Sequence, residues 1–192
     1  MIFFTADCHF FHANIIKYCK RPFSSVEEMN KTLIANWNSV VRPSDSIYIL
    51  GDFAFQGHTK ILPKLNGTKF FIFGNHDKRR EVRKAQDENL LEWARESYGL
   101  KWENKFFELC HYPMRSWNRK FHGAIHLYGH THATLPPYDL SFDVGVDAWD
   151  YYPISITQVI QVADKLEEHL KAQPRNDGLP SPSWSGNEFL DG

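Results

Sequence analysis

The sequence has almost no net charge, few cysteines and no long hydrophobic run, and each shortage removes a class of function. Lysine and arginine number 22 against 23 aspartate and glutamate, a formal charge of −1. No global basic field is therefore available to hold a nucleic-acid backbone non-specifically, and a polyanionic partner needs a local patch. Cys8, Cys19 and Cys110 are the only three cysteines and are irregularly spaced, which suits reduced thiols rather than a disulfide framework and makes the cytoplasm the expected location. No stretch approaches the ~18 apolar residues of a membrane span. The amino terminus lacks a charged-then-apolar leader pattern, and a strand expected from residue 2 leaves no room for one. What remains is a globular composition: 192 residues, 42% hydrophobic and 15% aromatic, enough for one domain with a sizeable core.

Against this background, five short apolar runs each stop at a glycine or a polar residue. Met1-Ile-Phe-Phe-Thr-Ala6 runs into Asp7-Cys-His9, and Ser46-Ile-Tyr-Ile-Leu50 into Gly51-Asp52. Lys69-Phe-Phe-Ile-Phe73 runs into Gly74-Asn-His-Asp77, Phe106-Phe-Glu-Leu-Cys110 into His111, and Ile125-His-Leu-Tyr128 into Gly129-His-Thr-His132. Runs of this length and composition are expected as interior strands of a covered sheet. Functional crevices of α/β sheets lie beyond the carboxyl ends of the strands, so the five exits are expected to meet, with Asp52 at the centre. Asp7 and His9, two apart in extended backbone, are expected to share a face with Cys8 buried on the other; His130 and His132 are expected to flank Thr131 in the same way.

The connecting segments complete an α/β pattern. Ser25-Val-Glu-Glu28 is a capping box, and Met29, Leu33, Trp37 and Val40 follow at helical spacing, predicting a crossover helix over 26–40. One or two helical turns are expected over 59–65, closed by the turn signal Asn66-Gly67. The charged stretch from Lys78 to about Tyr98 is expected to be helical, with Lys78-Arg-Arg80 and Arg83-Lys84 on a solvated face. The strands 106–110 and 124–128 are expected to pair antiparallel across the loop Tyr112-Pro-Met-Arg-Ser-Trp117. His122 and His126 are expected as isolated polar residues, and 141–146 as a further strand. Ser155-Ile-Thr-Gln158 opens a last helix whose apolar stripe, Val159, Val162, Ala163, Leu166 and Leu170, is core packing. The domain is expected over 1–172 and a tail over 173–192, in which Trp184, Phe189 and Leu190 are candidate anchors.

The strand exits gather Asp7, His9, Asp52, Asn75, His111, His130 and His132, and five of the ten histidines fall at these exits once His76 is counted. Imidazole, carboxylate and amide oxygen together suit borderline divalent ions such as Mn²⁺, Fe²⁺, Zn²⁺ or Ni²⁺. There are too many donors for one ion. Two ions sharing one carboxylate would use them all, and a pair of cations about 3.5–4 Å apart clamps a phosphoryl group and activates water. His76, one position beyond Asn75, must point elsewhere and is a candidate proton donor, with Asp77 expected to orient its ring. His12, Arg21 and Arg115 are candidate substrate contacts. Tyr112 and Trp117 are candidates to stack a base, with core packing as the alternative.

The ordered set Asp7-x-His9, Gly51-Asp52, Gly74-Asn-His-Asp77, His111 and Gly129-His-Thr-His132 resembles the calcineurin-like metallophosphoesterase superfamily over roughly residues 1–147. The opening Asp7-Cys-His-Phe-Phe-His-Ala-Asn-Ile-Ile16 and the Gly145-Val-Asp-Ala-Trp149 segment look like a small bacterial or phage branch of it. The resemblance implies a two-sheet β sandwich flanked by helices, a four-layer αββα arrangement. It implies one ion on Asp7, His9, Asp52 and His132, a second on Asp52, Asn75, His111 and His130, and His76 serving the leaving group. The implied reaction is hydrolysis of a phosphodiester or phosphomonoester by in-line attack of a bridging hydroxide, on a small molecule or nucleotide. Gln56 stands where protein phosphatases of the family carry arginine, which speaks against a phosphoprotein substrate. The competing expectations are a non-catalytic metal-binding scaffold and a nuclease acting on nucleic-acid ends. Near-neutral charge disfavours the nuclease. No membrane partner is expected, and the oligomeric state is left open.

Overall fold

The computed structural model describes residues 1–172, and two sheets organise them. In the first, β1 (Ile2–Thr5), β2 (Ser46–Leu50), β3 (Thr68–Ile72) and β4 (Trp93–Arg95) are parallel neighbours. In the second, β5 (Ser97–Trp102) pairs antiparallel with β6 (Lys105–Cys110), and β7 (Ile125–Tyr128) and β8 (Ser141–Asp143) continue parallel to β6. The two-residue β9 (Ile154–Ser155) closes the first sheet antiparallel to β1. The helices are α1 (Ala13–Tyr18), α2 (Val26–Val40), α3 (His58–Ile61), α4 (Arg79–Asp87) and α5 (Ile156–Ala172). The architecture is the expected two-sheet sandwich flanked by helices.

The apolar runs have no polar face because both faces of the first sheet are covered. Ile47 and Ile49 of β2 turn outward to a core with Met29, Leu33 and Trp37 of α2 and Val82 and Ala85 of α4. Tyr48 and Leu50 turn inward and join Phe107, Leu127 and Phe142 of the second sheet. Val159, Val162 and Leu166 of α5 belong to this inner core. Each fully buried Leu, Ile or Phe here contributes about 1.5–3 kcal/mol. The caps are as expected: Ser25 Oγ accepts the Glu28 N–H at 3.1 Å, and Ser155 and Gln158 satisfy each other's N–H at 3.3 and 3.0 Å.

The fold corrects three local expectations. The helix after Lys78 stops at Asp87, where Asn89 takes a left-handed φ of 56°, and the chain then forms β4 and β5. Edge pairing of Phe70 with Trp93 overrides a composition that reads as helical. Second, β6 and β7 are parallel rather than antiparallel. The segment from His111 to Ala124 is long enough for a crossover, and parallel pairing sends both strand exits to the same edge. Third, the strand expected over 141–146 ends at Asp143, and Val146–Ala148 forms a single 3₁₀ turn. Trp184, Phe189 and Leu190, with the tail expected over 173–192, lie outside the described residues.

Candidate metal centre

The exits of β1, β2, β3, β6 and β7 do converge, and after β1, β2 and β7 the backbone that carries the side chains turns left-handed. Asp7, His9, Asp52, His130 and His132 have φ values of 56°, 50°, 50°, 69° and 48°. The expected i, i+2 alternation at Asp7/His9 and His130/His132 is therefore replaced by left-handed turns. Non-glycine residues rarely adopt this region, and such strain persists only where the surroundings over-determine it. Here the loop after β1 is laced to the loop after β2: Asp7, His9 and Phe10 donate their N–H groups to the carbonyls of Gly51, Asp52 and Phe53 at 3.0, 3.0 and 2.9 Å. The His130 N–H donates to Asp7 Oδ2 at 2.7 Å, and the His76 N–H to Asp52 Oδ1 at 2.8 Å. Gly74 and Gly129 make room for these carboxylates, since a Cβ would stand 2.2 Å from Asp52 Oδ1 and 2.5 Å from Asp7 Oδ2 respectively.

Two groups of donor atoms result, Asp7 with His9 and His132, and Asp52 with His111 and His130, each set within 4.8 Å of one another. Asp52 Oδ2 lies 3.5 Å from His111 Nε2 and 3.7 Å from His9 Nε2, between the two groups. Asn75 Oδ1 is 3.1 Å from His111 Nε2 and extends the second group. Asp7 Oδ1 and His9 Nε2 are buried without a hydrogen-bond partner, an arrangement that costs free energy unless something else satisfies them. The donor chemistry and the two orphaned atoms fit a divalent cation.

The electrostatics of the donors differ from one to the next. Burial first, and then Asp143, hold the Asp7 carboxyl well above its ordinary range, a penalty that a cation among these donors would offset. Burial would raise Asp52 too, but the hydrogen bond and charge of His111 outweigh it and bring the carboxyl down to about 2. Burial lowers His9 to about 3, so its ring is a neutral donor. For His132 burial is outweighed by the hydrogen bond to Asp147, and the ring rises to about 10.

The remaining expected site residues divide sharply. His76 has an exposed side chain with Nε2 4.0 Å from Asp52 Oδ2, and with His12 it lines a cavity of about 570 Å³ that also reaches His9 and His132. His12 stacks on Phe55, ring centroids 5.1 Å apart. Asp77 does not orient the His76 ring: its carboxylate accepts the N–H groups of Asp52, Phe53 and Gly74 at 2.8, 3.1 and 2.8 Å. Arg21 is not a substrate contact, because its side chain is wholly buried against Asp147. Arg115 stacks over the Tyr138 ring at 4.3 Å and is not among the residues lining the cavity. Trp117 is buried, donating to the Ala124 carbonyl at 2.8 Å, so packing explains it. Tyr112 is exposed and stands edge-on to His130 at 4.9 Å.

Two acidic residues escaped the sequence analysis. Asp143, fully buried, accepts from the Thr131 hydroxyl at 2.7 Å, the Ala133 N–H at 3.1 Å and the Gly145 N–H at 2.6 Å, fixing the loop that carries His130 and His132. Asp147 holds His132 Nδ1 at 2.7 Å. Asp143 lay inside the strand expected over 141–146, with nothing in the sequence to mark it as that strand's end, and Asp147 was legible only as part of the Gly145-Val-Asp-Ala-Trp149 segment.

No family profile matches the chain. It is 40% identical over 176 residues to the uncharacterized protein MJ1445 of Methanocaldococcus jannaschii, an alignment covering 85% of this chain and 92% of that one. It is 28% identical over 180 residues to the gene 66 protein of Mycobacterium phage L5, covering 76% and 86%. Among solved structures, the protein of unknown function AQ665 from Aquifex aeolicus superposes with a TM-score of 0.68 at 25% identity, over 86% of this chain and 98% of that one.

Proposed function

The chain belongs to the family of the uncharacterized protein MJ1445 of Methanocaldococcus jannaschii, and we propose that this member is a metal-dependent phosphoesterase. The observation that carries the proposal is the position of Asp52 Oδ2 between two convergent donor groups, 3.7 Å from His9 Nε2 on one side and 3.5 Å from His111 Nε2 on the other. Asp7, His9, Asp52 and His132 would hold one ion, and Asp52, Asn75, His111 and His130 the other. Two divalent ions in such a site supply Lewis acidity to a phosphoryl oxygen and an activated water at neutral pH.

The chain's own residues supply the rest. The backbone of Gly51 and Asp52, tied to the loop after β1, holds the shared carboxylate, which is ionised at neutral pH. His76 presents an exposed imidazole at the edge of the donor groups, where it would deliver a proton to the departing alkoxide. The cavity beside it, lined by His12, Tyr18, Lys20 and Thr131 among others, suits a small phosphoester or nucleotide. Lys20 is the one lysine or arginine in that lining, which favours a small ester over a nucleic-acid strand. No helix among the described residues is long and apolar enough to cross a membrane.

The test is hydrolysis of bis(4-nitrophenyl) phosphate and 4-nitrophenyl phosphate by metal-stripped protein reloaded with Mn²⁺, Ni²⁺, Fe²⁺ or Zn²⁺ in turn. Turnover of at least one ester, abolished by chelation and by Asp52→Asn, is expected. Protein that binds the ions and hydrolyses neither ester would instead be a binding scaffold.

A further inference from the structure

Arg21 and Asp147 form a buried ion pair that the chemistry above does not use, yet both touch residues that it does. The Arg21 guanidinium grips Asp147 with two bonds, Nε to Oδ1 at 2.8 Å and Nη2 to Oδ2 at 2.7 Å. Its remaining N–H groups donate to the backbone carbonyls of Asp7 at 2.7 Å and Cys8 at 3.1 Å and to Met29 Sδ at 3.4 Å. Asp147 Oδ2 in turn stands 2.7 Å from His132 Nδ1. Resting on the phosphoesterase reading, we propose that Arg21 and Asp147 are positioning residues that hold His132 to bind an ion through Nε2 beside Asp7 and His9.

A buried ion pair is weak support for stability on its own, because desolvation cancels much of its attraction. What this pair does is set register. The donors of the first group come from two distant pieces of chain, Asp7 and His9 after β1 and His132 after β7. One planar guanidinium bonds the backbone of the first piece and, through the carboxylate, the side chain of the second. A carboxylate at Nδ1 keeps the proton on that nitrogen and leaves the lone pair on Nε2, and it raises the basicity of the ring as a ligand. Lysine could not replace the arginine, since an ammonium cannot span both carboxylate oxygens and two carbonyls at once. The Cys19 thiol lies within 4.8 Å of donor atoms of His132 and Asp147, so a third cation there is the competing use of Asp147. Arg21 argues against it, since both carboxylate oxygens already accept from the guanidinium.

The experiment is calorimetric titration of the metal-stripped full chain with Mn²⁺, paired with imidazole ¹⁵N correlation spectra of the Zn²⁺-loaded protein. The unmutated chain is expected to bind two ions, and its His132 to carry a proton on Nδ1 with the metal on Nε2. Asp147→Asn, which keeps the shape but replaces one of the two accepting oxygens with an NH₂ donor that faces the guanidinium or the imidazole, is expected to weaken one ion by about 10–100-fold and leave the other unchanged. Arg21→Lys is expected to weaken the same ion, with thermal melts confirming that both variants fold. Two unaltered affinities in Asp147→Asn overturn the proposal alone. So does a proton on Nε2 of His132 in the unmutated chain, a readout that needs no variant, and so does a third ion lost in Cys19→Ser. Failure of the unmutated chain to bind Mn²⁺ at all overturns the phosphoesterase reading, and this inference with it.

Discussion

The Asp77 carboxylate accepts the backbone N–H of Asp52 at 2.8 Å while also holding the N–H groups of Phe53 and Gly74. It thereby locks the exit of β2 against the exit of β3, and the Asp52 carboxylate, which stands between the two donor groups, depends on that lock. Asp77→Ala is expected to lower folding stability by about 1–3 kcal/mol for each N–H left without an acceptor. Asp77→Asn, which keeps one accepting oxygen, should cost less. Chemical denaturation of the metal-stripped protein measures both. A stability equal to that of the unmutated chain, with only turnover reduced, would return Asp77 to the role of partner for His76.

Gly74 tests the same contact from the other side. Its φ is not in the left-handed region, so the glycine is needed for space rather than for conformation, and a Cβ would meet Asp52 Oδ1 at 2.2 Å and Asp52 N at 2.5 Å. Gly74→Ala is expected to destabilise by about 1–3 kcal/mol through overpacking and, under the proposed two-ion reading, to weaken both ions, because Asp52 Oδ2 stands between the two donor groups. Calorimetric titration checks this: loss confined to one ion would mean that Asp52 is not shared.

The strand exits were legible because an apolar run covered on both faces must end where the chain meets water, and the residues at those ends share one chemistry. The helix α2 was legible because Ser25 and Glu28 mark its first turn and Met29, Leu33 and Trp37 mark its buried face. The left-handed backbone at Asp7, His9, Asp52, His130 and His132 was not, because Asp and His enter that region more readily than most residues but still seldom, and lacing between loops imposes it. Arg21 misled for a related reason. An arginine beside a phosphate site reads as a phosphate ligand, and its true partner, Asp147, lies 126 residues away. The edge strand β4 escaped because its pairing with β3 is a tertiary contact that local composition does not report.

Buried His126 gives the fold a pH dependence with a definite sign. Its Nδ1 and Nε2 stand 3.0 and 3.2 Å from the carbonyls of Glu108 and Tyr112. Burial is the largest influence, and it outweighs those carbonyls to hold the ring below its ordinary value. Above about pH 6.5 the imidazole is neutral in both folded and unfolded chains and adds no slope. As the pH falls below that, the unfolded chain takes up the proton first, so folding stability declines until the folded ring also titrates. His126→Gln is expected to be less stable at neutral pH, having lost buried contacts, yet to show a shallower decline between about pH 6.5 and about pH 5. Denaturation midpoints across that range decide it, and parallel declines in the two proteins would mean that another group sets the acid sensitivity.

His76 is exposed, with its ring 5.6 Å from that of His9 and its Nε2 4.0 Å from Asp52 Oδ2, so its removal should leave the donor groups intact. The His76 backbone N–H, not its side chain, makes the bond to Asp52 Oδ1, and alanine preserves it. His76→Ala is therefore expected to bind metal as the unmutated chain does. Its turnover should depend on the leaving group. A 4-nitrophenolate departs without a proton, so 4-nitrophenyl esters should be hydrolysed at near the original rate. An alkoxide needs the proton, and alkyl phosphoesters should slow by about 10²–10⁴-fold, the usual worth of a positioned general acid. Rates for a series of esters of graded leaving-group pKa, measured on both proteins, should show a steeper dependence in the variant. Equal slopes would mean that the proton comes from elsewhere, with His12, which lines the same cavity, the next imidazole to remove.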